Sequence, residues 1–349
     1  MILAMEHYSG NSSQIHPGTI FIPRVSPVRT VIMALFSEST SGEQRRYYRS
    51  EWSLDEVPDF ILDGIEYREF AFDHDGNGPS DRYNLIRSPG ELEKYLRTRA
   101  PFSAYCSVAF YDRPGGREGI FRTELAFDID AKDLAVRSCD CPPGEVCPVC
   151  LEDSKKLALS YMGCLNQDLA LRDIHLIYSG RGYHIRVFDE SISMISSSER
   201  RKILDYVSGG IVPKNLFIQH GYSAIFRERA MWILERMDGD TLASLPDTVS
   251  RRALKNREAI IGALLEEDRV TLNKVMGERR LGALLGYLAT LAASLTDAKV
   301  TMDEKRIIRL PSSLHSKVSM KCTLVDDPEG FDPLRDAVPP FVRSRGGPR

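Results

Sequence analysis

The sequence predicts an α+β protein, in which strand-rich segments flank an inserted all-α stretch and a cysteine-lined loop is set into the first strand-rich part. Three observations carry that reading. Period-2 alternation recurs between residues 67 and 189 and returns beyond residue 298. From Ser191 to about Ala293 it gives way to helical spacing, as in Ile260, Ile261, Leu264 and Leu265. Four of the seven cysteines fall within a dozen residues.

With 349 residues the chain can bury a large core and divide into more than one unit. Its formal charge is −3, so no global basic field announces nucleic acid, and any such surface has to be a local patch. Met1–Tyr8 lacks the basic start and long apolar region of a secretory signal. The longest apolar stretch, Leu281–Ser294, is too short to span a bilayer and reads as a buried helix. Clustered cysteines without an export signal point to metal binding in a cytoplasmic protein rather than to disulfides.

In chain order, Pro17, Pro23 and Pro27 break up short apolar pieces and Ser37–Gly42 reads as a polar linker. Residues 1–40 are therefore expected to be a poorly ordered extension, with Met33 as a natural beginning. Glu43–Trp52 reads as a charged, aromatic helix whose Arg45, Arg46 and Arg49 face either phosphates or solvent. Tyr67–Phe72 alternates like a strand, and the residues from Asp73 to Pro79 supply turn chemistry. Asp73-x-Asp75 opens like a calcium loop but lacks the later Glu such a loop needs. Ser88–Arg99 reads as a helix opened by Pro89, and Ala104–Tyr111 as a strand before the Pro114-Gly-Gly turn.

The stretch from Phe121 to Asp130 alternates strictly. Phe121, Thr123, Leu125, Phe127 and Ile129 are expected in a core, and Arg122, Glu124, Ala126, Asp128 and Asp130 on the opposite face. Asp128 and Asp130 then share a face, roughly 6.5–7 Å apart along the strand. Such a pair can share two divalent cations about 3.5–4 Å apart, or form a solvated acidic edge.

Cys139-x-Cys141-x5-Cys147-x2-Cys150 can close a tetrahedral zinc site, with Pro142, Pro143 and Gly144 letting the loop turn. Four thiolates make a closed, structural site without the open position of a catalytic zinc. Cys106, Cys164 and Cys322 are isolated and read as small buried apolar residues. A helix is expected from Leu151 to Leu171, then two strands over Ile174–Asp189 about the turn Ser179-Gly180-Arg181-Gly182. The glycines permit close approach of a ligand, and Ser179, Arg181 and His184 offer donors suited to phosphate oxygens, although such a turn also serves purely structural hairpins. Strand-like sequence returns at Lys299–Met302 and Ile307–Leu310. Asp297 precedes these pieces, and Arg309, His315 and Lys317 could neutralise a triphosphate. The Pro-, Gly- and charge-rich Asp326–Arg349 reads as surface-hugging or loose.

Taken together and in this order, the motifs resemble the small catalytic subunit of archaeal and eukaryotic DNA primases, archaeal members in particular. The parts are Tyr67-Arg-Glu-Phe, the Asp128-x-Asp130 strand, the four-cysteine knuckle, Ser179-Gly-Arg-Gly-x-His184, and Arg309-x-Pro-x-Ser-Leu-His315-x-Lys317. The combination carries the resemblance, from about Arg45 to Asp336. Two departures stand out. The Ser179–His184 turn lacks an extra residue that some relatives carry, and the late loop has Ser313, Ser316, Val318 and Ser319 where many use Gly or Thr.

The resemblance implies a mixed, mostly antiparallel-sheet catalytic core, split into residues 41–190 and 294–336. The zinc knuckle is expected at 136–153, a helical subdomain at 191–293 and a tail at 337–349. It implies template-directed synthesis of short primers for DNA replication by two-metal nucleotidyl transfer. Asp128, Asp130 and Asp297 match the Mg²⁺ or Mn²⁺ ligands. Ser179, Gly180, Arg181, His184, Arg309 and His315 match the nucleotide-binding positions, and Cys139, Cys141, Cys147 and Cys150 the zinc ligands. Partners implied are a large primase subunit, a single-stranded DNA template and nucleoside triphosphates. A primase-like repair or end-joining polymerase, which usually lacks the knuckle, and a non-catalytic zinc-containing nucleic-acid-binding module are the alternatives.

Overall fold

The computed structural model describes residues 37–346 except residue 143, so the expectations for residues 1–36 lie outside the described residues. Among the described residues, ten strands form two four-stranded sheets and a hairpin, with every pairing antiparallel. The first sheet has the order β2-β1-β3-β9, from Asp81–Asn84 (β2), Phe70–Asp73 (β1), Ser103–Ser107 (β3) and Ile307–Arg309 (β9). The second has the order β10-β7-β8-β6, from Thr323–Leu324 (β10), Ile174–Tyr178 (β7), Gly182–Val187 (β8) and Leu125–Asp130 (β6). Ala109–Arg113 (β4) and Glu118–Thr123 (β5) make the hairpin.

The alternating stretch 121–130 is therefore not one strand. It changes sheets at Glu124, whose N–H donates to the Val108 carbonyl at 2.9 Å while Val108 donates to Arg306 O at 2.8 Å. These two bonds stitch the edges of the four-stranded sheets together. Parity predicts the burial of Thr123, Leu125, Phe127 and Ile129 correctly, but Phe121 is 44% exposed. Glu124 and Ala126, expected on the open face, are buried.

Glu124 is buried because arginines surround it. Arg186 of β8 grips the carboxylate with both Nε and Nη2 at 2.7 Å, and Arg68, just before β1, reaches it at 2.5 Å. Arg200 donates to the Glu124 carbonyl at 2.8 Å. All four side chains lie in the interior. Burial works against the Arg186 charge, but the Glu124 carboxylate more than offsets it and raises the guanidinium pKa above its ordinary value.

The long helix Pro148–Gln167 starts with Pro at its first position and buries Leu151, Leu157, Ala158, Tyr161 and Leu165 along one stripe. It packs on β6 and β8, with Tyr161 edge-on to Phe127. The helical run expected after Ser191 opens at Ser197–Ser208, with a capping box between Ser196 and Glu199 and a left-handed Gly209 at its end. Tyr222–Arg236, Asp247–Lys255, Arg257–Leu265, Arg269–Met276 and Glu278–Ala293 follow. The last of these buries Leu281, Leu284, Leu285, Leu288, Ala289 and Ala292 and exposes its other face, so it is amphipathic rather than buried all round. Among the described residues no helix is long and apolar enough to cross a membrane.

Three local expectations are corrected. Lys299–Met302 is helical within Ala298–Met302, because the Asp297 side chain accepts from Lys299 N at 2.9 Å and caps the turn. The Ser37–Gly42 linker is tied down: Thr40 caps the helix Ser41–Arg46, and Gln44 donates to Ser39 O at 3.1 Å. The chain beyond Asp326 is anchored by buried Phe341 and Val342 and by Arg345, which clasps Glu43.

Glu124→Gln removes the one carboxylate that neutralises the buried arginines. We expect it to lower the unfolding free energy by about 3–5 kcal/mol in urea denaturation. A loss below about 0.5 kcal/mol, the range of an ordinary surface substitution, would show that this cluster does not hold the sheets together.

Candidate active site and zinc knuckle

The cleft begins where β6 and β8 pair, with Asp128 opposite His184 and Asp130 opposite Gly182. Two glycines make this close approach possible. A Cβ on Gly182 would lie 2.2 Å from the Ile129 carbonyl oxygen and 2.8 Å from Asp130 Cα. Gly180 has φ +104°, and a Cβ there would lie 2.6 Å from that of His315. The turn is closed by Ser179 N donating to Gly182 O at 2.9 Å, and Tyr178 Oη donates to Gly180 O at 2.6 Å.

The opposite wall comes from β9, the edge strand of the other sheet. Arg309 donates to Ser103 Oγ at 2.6 Å and lies over the Tyr105 ring at 5.0 Å, so its guanidinium is held in place. His315 follows on a loop fixed from behind by the N-terminal helical turns. Tyr47 donates to Ser312 O at 2.6 Å, Trp52 donates to Ser312 Oγ at 2.9 Å, and Leu314 N donates to Tyr48 Oη at 3.2 Å. The aromatic side of the segment Glu43–Trp52 thus shapes the site from inside the core. Two of its arginines face elsewhere: Arg46 pairs with Glu51, and Arg49 reaches the Arg97 carbonyl. Ser312 and Ser319 take left-handed backbone conformations, φ 74° and 50°, where glycine is the easier residue.

One cleft brings together Asp128, Asp130, Ser179, Arg181, His184, Arg309 and His315. Asp297 is adjacent rather than in the lining. Its N–H donates to the Asp128 carbonyl at 3.1 Å, its carboxylate caps the following helix, and Oδ2 lies 3.9 Å from Arg306. Lys317 does not line the cleft and pairs with Glu38 at 3.1 Å. Tyr105 and Arg306 also line it and escaped sequence reading. Tyr105 carries no motif of its own. Arg306 lies just before β9, and only the cationic run Lys305-Arg306 offers a signal.

The electrostatics suit a cation between the two carboxylates. Asp128 lies 28% exposed but at the base of the cleft, surrounded by protein atoms. Burial, with Asp130 and then Asp297 adding like charge, pushes its pKa up to about 7, against the pull of Arg309 and Arg306. Burial also raises Asp130, although Arg181 contacts it at 3.0 Å and opposes the shift. Burial, with Arg309 adding positive charge, holds His184 and His315 well below the ordinary histidine range. Both are therefore neutral at pH 7. Lys317 N donates to His315 Nδ1 at 3.1 Å, which leaves the proton on Nε2. His184 Nε2 lies 3.4 Å from Asp128 Oδ1, and its Nδ1 is buried without a partner.

The sulfurs of Cys139, Cys141, Cys147 and Cys150 all lie within 4.8 Å of one another. Among the described residues no other group of three or more such ligands is gathered so tightly. The Cys147 and Cys150 sulfurs are 3.8 Å apart, the edge expected of a tetrahedron with Zn–S bonds of about 2.3 Å. Burial pushes the Cys150 thiol up to about 12 and raises Cys141 as well, so a cation is needed to hold these two as thiolates. The loop is braced by Arg137, which donates to Cys141 O at 3.0 Å, and by Asp153, which accepts from Ser138 N and from Arg236. These residues fit zinc.

A family model described as DNA primase small subunit matches residues 127–327. Curated relatives, each described as DNA primase small subunit PriS, align over nearly the whole chain. The protein from Methanothermobacter thermautotrophicus is 45% identical over 90% of this chain and all of its own length. That from Methanobrevibacter smithii is 43% identical over 89% and all of its own length, and that from Thermococcus kodakarensis 42% identical over 88% and 94% of its own. The chain belongs to the DNA primase small-subunit family.

Proposed function

We propose that this chain is the catalytic subunit of a DNA primase, joining nucleotides de novo on a single-stranded DNA template and extending the short primer. The observation that carries the reading is the single cleft in which two half-buried carboxylates, Asp128 and Asp130, face arginines and two histidines. Family membership disfavours both alternatives, the repair polymerase and the non-catalytic module.

Bound between Asp128 and Asp130, a pair of Mg²⁺ or Mn²⁺ ions would activate the attacking 3′-hydroxyl and stabilise the leaving pyrophosphate. The chain's own residues do the positioning. Asp297 buttresses Asp128 through its backbone and adds negative charge on the metal side. Ser179 and the Gly180 turn cradle phosphate oxygens, while Arg309, locked over Tyr105, offsets their charge without reorganising. Neutral His315, protonated on Nε2, donates a hydrogen bond to a phosphate without adding a formal charge. Arg181, held by Asp130 at 3.0 Å and lining the same cleft, would be available to phosphate oxygens. The zinc of the knuckle is structural, and residues 191–293 form a helical subdomain between the two parts of the catalytic core. A cytoplasmic setting and a heterodimer with a large primase subunit fit this reading.

Asp128→Asn and Asp130→Asn should each abolish primer synthesis with labelled nucleotides, a loss of at least about 10³-fold for a metal-bridging carboxylate, while leaving the melting transition and zinc content unchanged. Robust synthesis by either variant would remove the two-metal assignment. Cys147→Ser or Cys150→Ser should release zinc and lower the melting temperature. Full metal content by atomic absorption in either variant would show that the cysteine is not a ligand.

A further inference from the structure

The helical stretch carries a cluster of cations that the cleft chemistry does not use. Val249 and Ala253 bury one side of helix Asp247–Lys255, which turns Thr248, Arg251, Arg252 and Lys255 outward. Arg252 donates to the carbonyls of Val275 and Lys274 at the end of helix Arg269–Met276, fixing the two helices to each other. Arg280, in the first turn of helix Glu278–Ala293, lines a shallow cleft with Arg251, Arg252, Lys255 and Asp247, the last of these paired with Arg251. Lys274 and Arg279 are exposed on the same two helices.

Several exposed arginines elsewhere sit against carboxylates, as in Arg46–Glu51, Arg201–Asp205 and Arg335–Asp336. Here only Arg251 does, pairing with Asp247. Among the described residues no carboxylate lies within ion-pair distance of Arg252, Lys255, Lys274, Arg279 or Arg280, although Glu278 is exposed nearby. Five cations on three helices thus stand without a carboxylate partner in a chain of net charge −3. No large apolar side chain lines the cleft, which disfavours a protein partner docking there. A polar cleft lined by Arg and Lys suits a phosphodiester backbone, which proteins hold through cationic contacts to phosphate.

We propose that the face formed by Arg252, Lys255, Lys274, Arg279 and Arg280 binds the sugar–phosphate backbone of single-stranded nucleic acid as a second anchor, separate from the catalytic cleft. Its contacts are to phosphate, so it holds a strand without reading sequence. It supplies the local basic surface that the overall charge of the chain does not.

Lys255→Glu with Arg280→Glu tests this in the full chain. Both side chains are exposed, and neither belongs to the catalytic cleft. Fluorescence anisotropy with labelled oligo(dT) and oligo(rU) of about 30 nucleotides, without nucleotide or divalent metal, reads binding apart from catalysis. The double variant should bind both strands roughly tenfold more weakly near 0.1 M salt, and its salt slope should fall by about 0.7 for each phosphate that the surface no longer neutralises. Lys274→Glu with Arg279→Glu should act in the same direction. An effect on oligo(dT) alone would confine the surface to DNA, and an equal effect on both identifies the backbone as the ligand. Unchanged affinity and slope in both double variants would overturn the proposal, as would a loss confined to association with a protein partner. Because the assay contains no metal, a failure here leaves the reading of Asp128 and Asp130 untouched.

Discussion

Glu124 is where the architecture converges. It sits at the point where the chain leaves the hairpin for β6, and its buried carboxylate draws in Arg68 from just before β1 of the first sheet and Arg186 from the second, while Arg200 reaches its carbonyl from the first helix of the helical run. Isolated burial of any of these charges would be costly, and together they satisfy one another. The geometric consequence reaches four residues along β6 to Asp128 and two residues along β8 from Arg186 to His184. With those two strands held in register, Asp128 and its neighbour His184 are placed by strand pairing alone.

The cleft itself is organised by opposed charges that are each held short of full compensation. Asp128 and Asp130 are half-buried and close enough to raise the cost of ionising Asp128, and the cations of the site are mostly committed to fixed anchors: Arg309 to Ser103 and Tyr105, Arg306 near Asp297. The two histidines stay neutral and can donate without adding charge. A site of this kind gains most when divalent cations and a polyphosphate arrive together, since each supplies the counter-charge the other wall lacks. That is the electrostatic demand of nucleotidyl transfer.

Much of this was legible in the residues. Parity along β6 put Asp128 and Asp130 on one face, the Gly180 and Gly182 positions marked a turn under close approach, and cysteine spacing located the knuckle. What parity could not register was a change of sheet. The alternation of 121–130 runs unbroken through Glu124, and nothing local shows that a carboxylate on the open face meets two distant arginines, Arg68 and Arg186. Asp297 was legible as a carboxylate near the site but not as a helix cap, although Asp before a short helical turn is a known signal. Tyr105 and Arg306 enter the cleft only through the β3–β9 pairing, between segments about 200 residues apart. Phe341 and Val342 were hidden because a short apolar pair after two prolines carries no periodicity.

In the proposed function Asp128 and Asp130 present divalent ions to a triphosphate held by the opposite wall. The most direct measurement is a crystal structure with Mn²⁺ and a non-hydrolysable nucleoside triphosphate, with manganese located by its anomalous scattering. Manganese is expected bound by Asp128 and Asp130, with the triphosphate between the Ser179–His184 turn and Arg309. Manganese bound elsewhere, with both aspartates unligated in the presence of nucleotide, would contradict the proposed function.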